Sequence, residues 1–441
     1  MYVVNGSREG SGKVWRPLHV GMVGTRGVPA AYGGFETAVE EIGARLVERG
    51  HQVTVYCRRG NAAQSVGAGA TGGLGSYRGM ELIHLPALRL KSFETLSHTA
   101  VSSVHHLWHR KTDVNFVFNA ANSPLLRVLR AGGTPVAVHV DGLEWKRGKW
   151  GRHGRAYYRM AELLAVRGAD ALIADAEGIQ DYYRHEFGAD TTLLTYGAPV
   201  LNDVRGSVVE AVGLSPFGYH LVVARMEPEN HVHLIVNAYT RSRSTRPLVI
   251  VGTAPYAAEY IDAIRRTATA DPRIRLVGGI WNQELLDQLY GNALSYVHGH
   301  SVGGTNPSLL RAMGAGTPTL AFDVVFNRGV LDHLGRYFKT EDELTQLFEE
   351  MEATAPGELQ RIGAGLRQRA SVQYDWNTVT DGYERLAADL AAGWSTRGRS
   401  NGRRRSDGIA WSGERSATEV APESGAPSHQ FGLRNGEVRQ Q

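Results

Sequence analysis

A single cysteine, Cys57, stands in 441 residues. That excludes an intrachain disulfide and a cysteine-based metal cluster. No run approaches the roughly 18 apolar residues of a membrane-crossing helix. Met1 to Pro17 lack the apolar core of a signal peptide. The reading is a cytoplasmic protein. Excess charge is scarce too, since 48 basic against 44 acidic residues leave +4. Ser395 to Gln441 holds eight Arg and five acidic residues, so +3 of that sits in the tail. The basic balance therefore marks no nucleic-acid-binding fold, and no nucleic-acid partner is expected.

What is present is ordinary globular composition, 42% hydrophobic and 21% charged, over a length that suits two or three domains. Short apolar runs alternate with amphipathic stretches. Strands are expected at Leu18–Val23, Gln52–Cys57, Val114–Asn119, Pro135–Val140, Ala171–Ala176 and Thr191–Tyr196. Between the first two, Phe35, Val39, Ile42 and Leu46 recur at helical spacing. After a loose segment, Gly197–Gly218, a second series follows at His220–Met226, Leu248–Gly252, Ile274–Val277, Leu294–His298 and Thr317–Phe322. The fold class is thus α/β, with two doubly wound Rossmann-like domains and an interdomain cleft as the default site. The expected divisions are a disordered lead at 1–17, an N-terminal domain at 18–200 and a C-terminal domain at 201–375. A crossover helix at 376–394 and a disordered tail at 395–441 complete them, the tail because it holds too little apolar surface to offset its ordering entropy. Gly60–Gly79 reads as a mobile surface loop, with an active-site lid as the alternative.

The first strand opens into GTRGVPAAYGGFET (24–37), just before a helix. Glycines let backbone amides approach a ligand, the helix start offers free N–H groups, and Arg26 adds a cation. The pattern suits a phosphate. It is not the dinucleotide fingerprint, because Gly21, Gly24 and Gly27 are wrongly spaced and Arg58-Arg59 stand where an acid would hold a ribose. A second anion site is expected at Gly303-Gly304-Thr305-Asn306, with Asn306 capping a helix that begins at Pro307. Arg225, at the end of the strand His220–Met226, is placed to grip a diphosphate with two parallel hydrogen bonds. His139 and Asp141 end a strand and meet ligand by the same placement. From Trp145 to Arg159 lie six Lys or Arg with Trp150, Tyr157 and Tyr158, a stretch suited to an anionic head group or a phosphorylated acceptor.

Gly299-His300-Ser301-Val302-Gly303 also matches a nucleophile elbow, with Asp323 and His333 as partners for Ser301. Against it, the helix starts several residues late and the N-terminal half is left without a role. His298 and His300 alternate on a strand end, but no further metal ligands accompany them. No cofactor and no metal are expected.

The motifs GTRGVPAAYGGFET, VDGLEWKRGKW, ARMEPEN and HGHSVGGTNPSLL together resemble the retaining family-four glycosyltransferases of GT-B fold. They are most similar to the branch containing bacterial rhamnosyltransferases of polysaccharide assembly. The resemblance covers roughly residues 18 to 390. It implies metal-independent transfer of a sugar from a nucleotide diphosphate donor to a saccharide acceptor. It further implies an acceptor on a lipid carrier, with peripheral contact at the inner face of the plasma membrane. By this likeness Gly24, Thr25, Arg26 and Gly27 close over the phosphate. Arg225, Asn230, His300, Gly303, Gly304, Thr305, Asn306 and Arg311 hold the donor. His139, Asp141 and Arg225 are the catalytic set, and Tyr32, Gly33, Glu36, Glu144, Trp145 and Lys146 face the acceptor.

Two departures bear on the donor. The family usually has two glutamates, eight positions apart, where this chain has Gly303 and Arg311, and a lysine where it has Asn230. The second glutamate typically holds two ribose hydroxyls, so its loss suits a deoxyribose donor such as dTDP-rhamnose. A non-catalytic sugar-nucleotide-binding protein stays open as an alternative, beside the esterase reading of Ser301.

Overall fold

The computed structural model describes residues 16–30, 33–60, 75–88, 94–109, 111–140, 142–253, 258–400 and 403–404. Among them, two separate sheets organise the chain. The first holds β1 (His19–Val23), β2 (Gln52–Arg58), β3 (Ser76–Tyr77), β4 (Met80–Leu85), β5 (Val114–Phe118), β6 (Val136–His139), β7 (Ala171–Ala174) and β8 (Thr192–Leu193), in the order β3-β4-β2-β1-β5-β6-β7-β8. All neighbours run parallel except the β3/β4 pair. The second holds β9 (His220–Val223), β10 (Leu248–Val251), β11 (Ile274–Gly278), β12 (Ser295–His298), β13 (Thr319–Phe322) and β14 (Arg336–Phe338), in the order β11-β10-β9-β12-β13-β14. Every pair there is parallel.

The central strands are buried on both faces, which is why they read as apolar runs without alternation. Chain order reverses direction beside β1 in the first sheet and beside β9 in the second. Those two points place the ligand crevices beyond the carboxyl ends of β1 and β5, and of β9 and β12.

The helix Gly34–Glu48 buries Val39, Ile42 and Leu46, the stripe expected from spacing. The last long helix, Trp376–Ala391, leaves the second lobe and lies on the first. Its Tyr383 ring meets Phe116 edge-on at 5.1 Å, and Glu384 takes Arg49 at 2.6 Å and His51 at 2.9 Å. Between the lobes the chain is tied by the Ala198 amide donating to the Tyr374 carbonyl at 2.7 Å.

Three expectations change. β3, β4 and β14 are strands that the sequence reading missed. Residues 76–79, assigned to the glycine-rich loop, form β3 and the turn into β4, while 61–74 of that loop lie outside the described residues, as do 1–15 of the lead. The start of the supposedly disordered tail is docked on the first lobe. Ser395 and Thr396 bond to Asp170, Ser400 donates to the Phe187 carbonyl, and Arg404 reaches Glu162 and the Tyr182 hydroxyl, each at 2.7 Å. Residues 405–441 lie outside the described set. No described helix is long and apolar enough to cross a membrane.

Candidate active site

The loops at the two crevices are in contact. A β-carbon placed on Gly142 would fall 2.1 Å from Gly303 Cα, and one on Gly304 would fall 1.8 Å from Asp175 Oδ1. Only glycine allows the loops after β6 and β7 to approach the loop after β12 this closely. Thr305 Oγ1 seals the contact by donating to the Asp175 carbonyl at 2.6 Å. The two helix starts also meet, because a β-carbon on Gly34 would sit 3.1 Å from Pro307 Cγ. Two positive helix ends thus face one crevice, an arrangement that favours an anion.

In the first lobe, Gly24 and Gly27 are buried in the turn after β1, and Thr25 Oγ1 accepts from the Gly27 amide at 3.1 Å. Glu36 turns back into this loop and accepts from the Arg26 amide at 3.1 Å. Its carboxylate also crowds Gly33. Glu36, expected at the acceptor, braces the loop after β1 through its bond with the Arg26 amide. Tyr32 and Asp141 lie outside the described residues.

His139 ends β6, fully enclosed. Its ring stacks on Phe118 and lies edge-on to Phe35 at 5.1 Å. Burial pushes its imidazole down to about 3, and likewise that of His298 to about 3 and of His98 to about 4. All three are neutral when folded, whereas the unfolded chain protonates them near 6.5. Stability is then complete above that value and falls as pH drops through 6 to 4, by up to about 1.4 kcal/mol per pH unit per histidine. Melting temperatures measured between pH 7 and 4.5 should show this loss, and His298→Phe should flatten it; an unaltered slope in that variant would contradict the assignment.

In the second lobe, the Arg225 side chain is 44% exposed, with Nη1 3.4 Å from Glu227 Oε1. Asn230 is held at both ends of its amide. Nδ2 donates to the Arg225 carbonyl at 2.7 Å, and Oδ1 accepts from His300 Nδ1 at 2.5 Å. Asn230, standing in the lysine position, therefore fastens two loops together and is spent there. The same bond leaves His300 Nε2 on the side of Gly303, 3.2 Å from where a β-carbon would be. Burial, then the charges of Arg147 and Arg225, keep His300 well below its ordinary pKa, so Nε2 is an acceptor. Asn306 caps the helix Pro307–Ala315 through the Ser308 amide at 2.9 Å, as expected. Arg311 does not join the amides. Its guanidinium is paired with Asp287 on the helix Gln283–Gly291.

The segment after β6 behaves differently from expectation. Glu144 and Trp145 are buried in the first lobe. Glu144 accepts from Trp150 at 3.1 Å and pairs with Lys149 at 2.8 Å and Arg147 at 2.5 Å. Burial alone would raise its carboxyl, but Arg147 and Lys149 hold it below the usual range. Trp145 lies between Lys146 at 5.5 Å and Arg159 at 5.4 Å. Glu144 and Trp145 thus shape the segment from within, while Lys146 is half-buried beside them.

Ser301 donates to the Glu229 carbonyl at 3.0 Å. Asp323 is paired with Arg328, and His333 is an exposed side chain beside Asp332. Among the described residues no nucleophile–base–acid chain exists at Ser301.

Residues 33–197 match the "Glycosyl transferase 4-like domain" family, and residues 219–354 match "Glycosyl transferases group 1". Together they span more than half of the chain, one per lobe. The chain belongs to the group 1 glycosyltransferases. Its two lobes are the halves of a GT-B fold, and enzymes of this group use nucleotide sugars. Sucrose-phosphate synthase from Thermosynechococcus elongatus is similar in structure, with TM-score 0.72 at 19% identity over 85% of this chain and 99% of that one. Anabaena HepE, solved with UDP and glucose, gives 0.70 at 14% over 85% and 100%. The UDP-forming trehalose-phosphate synthase from Burkholderia xenovorans, solved with glucose-6-phosphate, gives 0.63 at 12% over 85% and 100%. No curated protein sequence matches significantly.

Proposed function

We propose that this glycosyltransferase moves a sugar, with retained configuration and no metal, from a nucleoside diphosphate donor to a saccharide hydroxyl. The observation that carries the reading is the meeting of two helix starts, Gly34 and Pro307, at one crevice rimmed by Arg225 and the Gly303 loop. The bond from the anomeric carbon to the diphosphate oxygen breaks. The acceptor oxygen attaches on that same face, and its proton passes to the departing diphosphate. Arg225, Arg26 and the amides of 303–306 balance the charge that builds on the leaving group. His139, neutral and enclosed by Phe35 and Phe118 at the end of β6, backs the sugar side without charge.

The sequence motifs favour dTDP-rhamnose as donor, and the pairing of Arg311 with Asp287 agrees with a ribose site that lacks a holding carboxylate. UDP-glucose is the rival, since HepE was solved with UDP and glucose. An acceptor on a lipid carrier is supported by Val101, Val104 and Trp108, exposed on the helix Glu94–His109. That helix and the helix Arg152–Gly168, with its exposed Arg152 and Arg155, both pack on the turn Ala120–Leu125. Calorimetry and turnover with dTDP-rhamnose, UDP-glucose and GDP-mannose test the reading. Binding and hydrolysis of one donor are expected, dTDP-rhamnose first. Tight binding without turnover on any lipid-linked acceptor would make it a sugar-nucleotide-binding protein, and no binding at all would end the proposal.

A further inference from the structure

We infer that Arg147 is a second arginine for the donor diphosphate, supplied by the first lobe, and that Glu227 is a carboxylate with which the diphosphate competes. The inference rests on the donor reading above and adds a residue to it.

Glu227 bridges the lobes. Its Oε1 lies 3.4 Å from Arg225 Nη1 and its Oε2 lies 3.8 Å from Arg147 Nη1. One arginine follows the second lobe's β9, and the other follows the first lobe's β6. A carboxylate between two guanidinium groups marks a position that suits an anion with several oxygens. The fit of Glu227 is loose. At 3.8 Å its Oε2 is beyond hydrogen-bond length, and this buried oxygen has no hydrogen-bond partner among the described residues. A diphosphate has more charge and more acceptor oxygens than this carboxylate.

Arg147 is built to point. Its Nε forms an ion pair with Glu144 Oε2 at 2.5 Å, without hydrogen-bond alignment, and Glu144 is fixed in turn by Lys149 and Trp150. Arg147 Nη1 is the nitrogen that approaches Glu227. The segment is pressed against the Gly303 loop through Gly142, so Arg147 sits at the same crevice as the amides. Glu229 also borders this segment and adds a negative charge to it. It is over nine-tenths buried, neither carboxylate oxygen has a hydrogen-bond partner among the described residues, and it lies 3.8 Å from where a β-carbon on Gly148 would be.

Charge decides what can enter. Arg147, Arg225 and Lys149 stand against Glu144, Glu227 and Glu229, so the cluster is balanced. A diphosphate adds two or more negative charges to it. Entry is favourable when Glu227 swings out and leaves both arginines to the phosphates. With one arginine on each lobe, donor binding also draws the lobes together.

Calorimetry on the full chain with dTDP, UDP, thymidine and uridine tests this. Arg147→Ala should weaken the diphosphates roughly tenfold to hundredfold and leave the nucleosides unchanged. Arg147→Lys should recover part of the loss, and Glu227→Gln should tighten diphosphate binding. Circular dichroism and melting temperature verify that each variant folds. If Arg147→Ala binds diphosphates like the parent while Arg225→Ala does not, the donor reading stands and this inference falls. It falls equally if Arg147→Ala weakens nucleosides as much as diphosphates, or if Glu227→Gln weakens diphosphate binding. A parent protein that binds no nucleoside diphosphate overturns the donor reading itself.

Discussion

Arg225→Ala should lower kcat/KM for glycosyl transfer by roughly a hundred- to a thousandfold, the effect of removing one donor that stabilises a developing anion. The side chain is half in solvent and ion-paired only loosely with Glu227 at 3.4 Å, so its loss should leave stability nearly unchanged. Most of the deficit should fall on donor affinity and on kcat together, because the diphosphate is bound in the ground state and gains charge at the transition state. Arg225→Lys should keep a point charge and lose the two-pronged geometry, recovering only part of the rate. Steady-state kinetics with the best donor, beside calorimetric titration of its nucleoside diphosphate, measure both quantities. Unaltered donor affinity in Arg225→Ala would place the diphosphate elsewhere.

Much of this arrangement is legible before any coordinates. The central strands are continuous apolar runs because both faces are covered, and such runs stand out in a sequence. Asn306 followed by Pro307 announces a helix start by local chemistry alone. β3, β4 and β14 stay hidden for a matching reason. They lie at or near sheet edges, and they are short or mix polar with apolar residues, as in SY and RYF. The site divides in the same way. Glycine loops and Arg225 are local signals read from strand–loop–helix order. The inward turn of Glu36, the two-ended bonding of Asn230 and the Arg311–Asp287 pair are decided by which side chains meet in space. Arg147 was hidden among six cations in a stretch that resembles a solvated surface, and only its packing between Glu144 and Glu227 distinguishes it.

Distance along the chain concealed the docking of Arg404 most completely, and its removal should cost the most stability. The guanidinium reaches Glu162 at 2.7 Å and Glu186 at 3.7 Å, carboxylates with side-chain exposures of 6% and 0%. It also covers the Phe187 ring at 4.7 Å. Removing one partner from a buried ionic cluster costs about 3–5 kcal/mol, because the charge left behind is no longer compensated. Arg404→Ala should therefore shift urea unfolding by about that amount, and truncation after Trp394 should do the same. The pH dependence has a definite sign. Burial already raises the Glu162 carboxyl, and Arg404 is the first influence pulling it back. Without Arg404 the folded pKa rises further above the unfolded value. The variant is then relatively favoured below the ordinary carboxylate range and loses ground as pH climbs through the folded value. Glu162→Gln, which removes one buried charge, should restore part of the stability in the Arg404→Ala background. A double-mutant cycle measures that coupling. Should Arg404→Ala unfold like the parent at every pH, the C-terminal strap would contribute nothing to holding the first lobe together.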